Sequence, residues 1–245
     1  MNRDYLLATS RRVLDQLRHD ARSVAMTLVL PSALLTLLYY LYEDNPRVFD
    51  RIGLIMLGIF PFVLMFLVTS IAMLRERTSG TLERLLTTPI SKADLLFGYG
   101  LAYSLVAAAQ AIVTTIIAFG VLGLSAEGSV AFVIVMAVAD AILGVALGLL
   151  SSAFARTEFQ VMQLMPVVIL PQFFVCGLFV PRNEMAGWLD GLSTVFPLTY
   201  AVDAMLEIGA HSGVTGELVR DLGIILGAAV AALALAAQTL QRRSA

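Results

Sequence analysis

Residues 52–74 read IGLIMLGIFPFVLMFLVTSIAML, and residues 75–81 that follow read RERTSGT. The first stretch carries no charged side chain. As a helix it would be about 35 Å long, enough to cross a hydrocarbon core of about 30 Å. Three consecutive charges at Arg75, Glu76 and Arg77 then mark where the chain leaves that environment. Outward from this segment, five more apolar runs are long enough to span: Val24 to Tyr42, Phe97 to Leu122, Ser129 to Phe154, Phe159 to Val180 and Leu222 to Leu240. The expected fold is an all-α integral membrane bundle of six transmembrane helices. Composition agrees, with 59% apolar and 14% charged residues in 245, against about 45–50% and about 25% in soluble domains. Pro31, Pro61, Pro166 and Pro171 fall in or near these runs and are expected to kink helices that neighbours hold in place.

Orientation follows from the basic residues, which stay on the cytoplasmic side. With the N-terminus inside, Arg3, Arg11, Arg12, Arg18, Arg22, Arg75, Arg77, Arg84, Lys92, Arg156, Arg242 and Arg243 gather on one side. Arg47, Arg51, Arg182 and Arg220 occupy the other. Twelve against four places both termini in the cytoplasm, in what the Arg-rich, Ala-rich composition suggests is a bacterial cell (inner) membrane. The first span is expected to be retained, because a polar leader of more than twenty residues precedes it and no small-residue cleavage site stands before Glu43.

Ahead of that span, Leu6, Leu7, Val13, Leu14, Leu17 and Ala21 recur at helical spacing, opposite Arg11, Asp15, Arg18 and Arg22. This predicts an amphipathic helix lying on the inner leaflet, or one that packs on a partner. The longest cytoplasmic connection, Arg75 to Leu96, predicts a short helix carrying Leu82, Leu85 and Leu86 between breaks at Gly80 and at Thr88-Pro89. Ser91 reads as the N-cap of the next helix, with Asp94 in the capping-box position. The alternative is a solvated loop. The external stretch Pro181 to Asp221 is too apolar for a free loop and predicts one or two short helices around Pro197, with Trp188 and Tyr200 at head-group level. These form either an outer gate or a lid that only closes the bundle.

Within the spans, Asp140 stands alone as an ionisable group, which costs about 2.5–3.5 kcal/mol at a bilayer centre. It is a candidate for the translocation path together with Gln110 and Gln172, or a side chain hydrogen bonded to Gln110, Gln163 or Gln172. Gly144 with Gly148, and Gly223 with Gly227, form steps of small residues that read as helix packing.

Several chemistries are excluded. No Gly-Lys-Ser/Thr occurs, since Lys92 lies between Ser91 and Ala93, so the chain has no phosphate-binding loop and no ATPase motif. His19 and His211 are far apart, HExxH and Gly-x-Ser-x-Gly are absent, and Cys176 is the only cysteine. No catalytic residue, metal site or cofactor is therefore expected on this chain, and the net charge of −2 says nothing of nucleic acid.

Two motifs carry a resemblance. The first is Glu76-Arg77-Thr78-Ser79-Gly80-Thr81-Leu82-Glu83 with Leu85-Leu86-Thr87-Thr88-Pro89. The second is Gly177-Leu178-Phe179-Val180-Pro181, followed by Trp188-Leu189 and by Pro197-Leu198-Thr199-Tyr200 with Asp203. In this order around six spans, the chain resembles a membrane permease subunit of the type-2 family of ATP-binding cassette (ABC) transporters. The resemblance implies that Glu76, Arg77, Gly80, Thr81, Glu83, Arg84, Leu85, Leu86 and Pro89 belong to a cytoplasmic coupling helix docking on a separate ATPase subunit. It implies that Gly177, Pro181, Trp188, Pro197, Tyr200 and Asp203 mark short re-entrant helices forming an external gate before the last span.

On this reading residues 1–245 are one permease domain: an interfacial helix (1–23), spans one and two (24–74), the coupling region (75–96), spans three to five (97–180), the external re-entrant segment (181–221), and span six with a cytoplasmic tail (222–245). The implied function is the transmembrane subunit of an exporter for an amphipathic drug, lipid or glycolipid. The implied partners are an ATPase that carries ATP and Mg, a second permease subunit identical or related, and the lipid bilayer. The competing reading is a proton- or ion-coupled carrier using Asp140.

Overall fold

A computed structural model describes residues 3–87 and 90–239, with positions 21–23, 82, 83, 86 and 92 described by their backbone alone. Among these residues the chain is helical, without strands. Six helices are long and apolar enough to cross a membrane: α2 (Ala21–Leu41), α3 (Pro46–Thr78), α5 (Lys92–Gly120), α6 (Val130–Ser151), α7 (Glu158–Val175) and α10 (Gly216–Thr239). Helix α1 (Arg3–His19) precedes them, α4 (Thr81–Leu86) joins α3 to α5, and α8 (Gly187–Ser193) and α9 (Pro197–Ala210) lie between α7 and α10.

Helix α3 is the axis of the bundle. It begins at Pro46, whose fixed φ suits a first helical position, and extends beyond both ends of the apolar run because charged residues alter the solvent around a helix without breaking it. Pro61 is accommodated inside it. Helix α6 lies directly against α3. A Cβ at Gly144 would overlap the Phe62 carbonyl, and one at Gly148 would overlap Thr69 and the Phe66 carbonyl. The two backbones therefore touch, and the hydroxyls of α3 reach across. Ser70 Oγ donates to the Gly148 carbonyl at 3.0 Å and Thr69 Oγ1 to that of Val145 at 3.3 Å. Where lipid offers no hydrophobic drive between helices, such close approach supplies the association.

Gly223 and Gly227 behave differently. Both are exposed and a Cβ at either would meet nothing within 4 Å. Their spacing puts them on one face of α10, but that face looks outward, so their packing role is not realised within this chain.

Helix ends follow local chemistry. Ser91 and Asp94 form the expected reciprocal capping box, with Asp94 N–H donating to Ser91 Oγ at 3.0 Å and Ser91 N–H to Asp94 Oδ2 at 3.3 Å. The coupling connection is shorter than Arg75 to Leu96, because α3 runs to Thr78 and α5 starts at Lys92. Gly80 breaks the helix with φ +74°, a region where glycine carries no Cβ penalty. Helix α7 stops at Val175, short of Val180, and Gly177 turns the chain with φ +94°. Helix α10 starts at Gly216, ahead of Leu222, where Thr215 Oγ1 accepts from Leu218 N–H at 3.2 Å and caps the first turn, a signal hydropathy does not carry.

The opposite end of the bundle is closed by backbone contacts. Ser125 N–H donates to Asp50 Oδ1 at 2.8 Å, and Gly128 N–H to the Ile208 carbonyl at 2.9 Å. A branched side chain at Gly144 would force α6 off α3. Gly144→Val is therefore expected to lower stability by about 1–3 kcal/mol, read as a fall in thermal unfolding midpoint of the detergent-solubilised protein, whereas Gly223→Val leaves that midpoint within error.

Candidate functional site

The charged triplet that ends the apolar run of α3 ties it to four other helices. Arg75 makes a two-pronged contact with Glu158 at the start of α7, Nε to Oε1 at 2.7 Å and a terminal nitrogen to Oε2 at 3.3 Å. Glu76 turns inward and accepts from Arg12 of α1 at 3.3 Å. Arg12 also donates to the Tyr99 hydroxyl of α5 and lies over that ring, 5.5 Å from its centroid. Arg77 donates to the Ser152 carbonyl at the end of α6. A helix puts successive residues about 100° apart, so three adjacent side chains reach three different directions. Beside them a cavity of about 360 Å³ opens between α1, α3 and α5, lined by Glu76, Ser79, Thr81 and Tyr99 among others.

Immediately beyond the triplet lies α4. Thr81 Oγ1 is 3.0 Å from Ser79 Oγ, closing the Gly80 break. Arg84 is exposed, and Leu85 packs partly into the cluster formed by Val13, Met73, Leu95 and Tyr99. The side chains of Glu83 and Leu86, and the whole of Pro89, lie outside the described residues. Helix α4 is thus anchored by Leu85 and presents the exposed Arg84.

The segment between α7 and α10 is held by Arg182, which follows Pro181. Arg182 reaches Asp190 of α8 at 2.8 Å and Asp203 of α9 at 2.5 Å. Burial pushes the Asp203 carboxyl above the ordinary range while the Arg182 charge pulls it back, the first effect being larger. Gly177 lets the chain turn with the Arg182 stem close by, 3.6 Å from where a Cβ would stand. Pro197 opens α9, Tyr200 donates to the Thr194 carbonyl at 2.8 Å, and Trp188 is exposed. Leu198, Ala201, Val202, Met205 and Ile208 bury one face of α9 in the main core with α3, α6 and α10. This segment is a built part of the bundle, with its own ion-pair lock.

The buried polar residues of the spans do not form the pairs their chemistry suggested. Asp140 and Gln110 are both fully buried, and neither carboxyl oxygen nor either amide atom has a hydrogen-bond partner among the described residues. Thr114 and Thr115 of α5 share that state. Gln172 is engaged elsewhere: its amide donates to the Val168 carbonyl at 2.8 Å and its oxygen receives Leu198 N–H at 3.4 Å, capping α9. Gln163 is exposed on α7. Asp140, Gln110 and Gln172 therefore all sit inside a single chain's bundle. Among the described residues no group of three or more His, Cys, Asp or Glu side chains could hold a metal ion.

Six spans, a short helix at one end seated on an ion-paired triplet, and a packed helix pair before the last span make a definite arrangement, and residues 3–208 match the family described as ABC-2 type transporter. The chain belongs to the ABC-2 type transporter family. Its relatives include ABC transporter G family member 20 of Dictyostelium discoideum, 28% identical over 166 residues that cover 68% of this chain and 23% of that protein. The probable multidrug ABC transporter permease YbhR of Escherichia coli K12 is 28% identical over 142 residues, 58% of this chain and 39% of its own. The linearmycin resistance permease protein LnrN of Bacillus subtilis 168 is 27% identical over 171 residues, 67% and 42% respectively. The chain thus spans less than half the length of each of these relatives.

Sequence reasoning placed Glu76 and Arg77 in this ABC-2 chain's coupling motif but missed Arg12, Tyr99, Glu158, Arg182 and Asp190 as their counterparts or as the outer lock. One signal existed for Arg12. It falls on the helical face of Thr9 and Val13, away from Arg11 and Arg18, so a charge there must meet the bundle. The Arg12–Glu76 pair is partly buried, with side chains 30% and 13% exposed. A double-mutant cycle of Arg12→Ala and Glu76→Ala is expected to give a coupling of about 1–2 kcal/mol in unfolding free energy, larger than that of the exposed Arg75–Glu158 pair, which water screens.

Proposed function

We propose that this chain is the transmembrane subunit of an ATP-driven ABC exporter in a bacterial inner membrane, a permease domain with both termini cytoplasmic. The observation that carries the reading is the seating of α4. It exposes Arg84 and is joined through Gly80 to a triplet whose side chains hold α1, α6 and α7, and through Arg12 also α5. A push on α4 reaches four helices within one turn of α3. A separate ATPase subunit, carrying ATP and Mg, docks on α4 and the neighbouring cavity; its closure moves α4, and the bundle changes which side it opens to. Nucleotide drives this only so far as it binds one conformation more tightly than the other.

Six spans form half of such a transporter, and a second permease subunit, identical or related, completes it. The spans α2 and α7 support this. Only 22% of the apolar window of each is buried within the chain, against 67% for α3, and both pack on α3. The surface they flank is the face for the second subunit and the path between the two. Asp140 and Gln110 enter as a polar site behind that face, and Arg182 with Asp203 as the lock of the outer gate. The substrate class is amphipathic, a drug, lipid or glycolipid, in keeping with the relatives named for multidrug transport and for linearmycin resistance.

Two experiments test this. Affinity purification of the tagged chain from its host is expected to bring down a soluble ABC ATPase. Glu83→Ala with Arg84→Glu should reduce its recovery at least about ten-fold, as expected where charge pairs orient a partner, and undiminished recovery rejects the docking site. For orientation, a membrane-impermeant maleimide should label Thr87→Cys only in inside-out vesicles and Val214→Cys, which is exposed at the other end, only in right-side-out ones. Native Cys176 is buried and supplies little background.

A further inference from the structure

Helix α1 has two working faces. Thr9, Ser10 and Val13 are buried against α5, where Ser10 Oγ donates to the Gly98 carbonyl at 2.8 Å. A Cβ at Gly98 would stand 2.7 Å from Thr9. This small and polar face is what seats the helix. The leucine stripe turns instead into a groove of about 910 Å³ between α1, α2 and α5, walled by Leu14, Leu28, Leu101 and Leu105. At its rim stand Arg11 and Arg18, two turns apart on one side of α1. Unlike Arg12, neither makes a salt bridge among the described residues; Asp15 lies between them on the rim, and no ion pair joins it to either.

We propose that this groove is a binding site for one anionic phospholipid, its acyl chain along the leucine walls and its phosphate between Arg11 and Arg18. Three observations point to this occupant. The walls are apolar, and the groove adjoins residues of α2 and α5 that the chain leaves bare, with Met26 73% and Leu105 51% exposed; in a spanning bundle that surface faces acyl chains. The rim carries two guanidinium groups with no ion-pair partner among the described residues and a single carboxylate, a net positive edge suited to a phosphate. Cationic and apolar features meet at the point where α1 turns into the first span, the depth at which a head group joins its chains. A bound lipid would pin α1, and through Arg12 the Glu76 triplet, so lipid composition would set how firmly the α4 end is held. The site itself does not depend on the transport reading.

The test uses the full chain purified in a neutral detergent and titrated with phosphatidylglycerol or with phosphatidylcholine of identical acyl chains, bound lipid being counted by native mass spectrometry. Phosphatidylglycerol is expected to form a one-to-one adduct, and Arg11→Gln with Arg18→Gln to weaken it about thirty-fold, as two surface cations of about 1 kcal/mol each imply. Arg3→Gln, outside the groove, should leave it unchanged. Ala25→Trp keeps both arginines and fills the apolar end of the groove, and should weaken the adduct at least as much. Equal binding of the two lipids, or an adduct whose affinity either groove variant leaves undiminished, overturns the proposal. So does a match by sn-glycerol 3-phosphate at the same concentration, since that would leave the apolar walls without a role.

Discussion

Contact between the backbones of α3 and α6 is the constraint from which the rest of the bundle follows. Membrane helices gain nothing from burying leucine against leucine when lipid is equally apolar, so they associate where surfaces fit and polar groups meet. Gly144 and Gly148 remove the side chains that would hold α6 away, and Ser70 and Thr69 then reach carbonyls of the facing helix. With this pair set, α3 becomes a post on which α2, α5, α7 and α9 are arranged.

A post of this kind transmits displacement if it is continuous and if its ends are attached. Helix α3 meets both conditions. It is unbroken from Pro46 to Thr78, Asp50 receives the Ser125 amide at one end, and Arg75, Glu76 and Arg77 hold the neighbouring helices at the other. Rigid packing favours a small number of discrete arrangements over gradual deformation. The Gly80 break puts α4 on a short link beyond the triplet, so on the proposed exporter reading a displacement of α4 would be felt by the triplet before the spans.

The polar groups left inside the bundle are its least satisfied part. Asp140 and Gln110 are completely buried and have no hydrogen-bond partner among the described residues, a state that costs several kcal/mol in apolar surroundings. The bundle carries that cost in this conformation. On the proposed exporter reading, a rearrangement that opened the α5–α6 region to water or to a polar substrate group would relieve it.

The sequence by itself determined what depends on composition along the chain. That includes the six spans, the capping box at Ser91 and Asp94, and the break at Gly80, because each is set by the length of an apolar run or by the intrinsic chemistry of one or two neighbouring residues. Helix boundaries were less legible at α3, α7 and α10, since hydropathy reports where solvent changes, and backbone hydrogen bonding decides where a helix ends. Only the tertiary structure decided which partners meet. Gly144 and Gly223 sit in the same kind of motif, yet one touches a backbone and the other faces outward. Glu76 stands in a motif that resemblance assigned to a partner's surface, yet it turns inward to Arg12, sixty-four positions away in the chain. Spacing along a helix fixes the face a residue shares with its neighbours, and the physical reason it goes no further is that what lies opposite that face comes from another segment, whose position depends on the packing of the whole bundle.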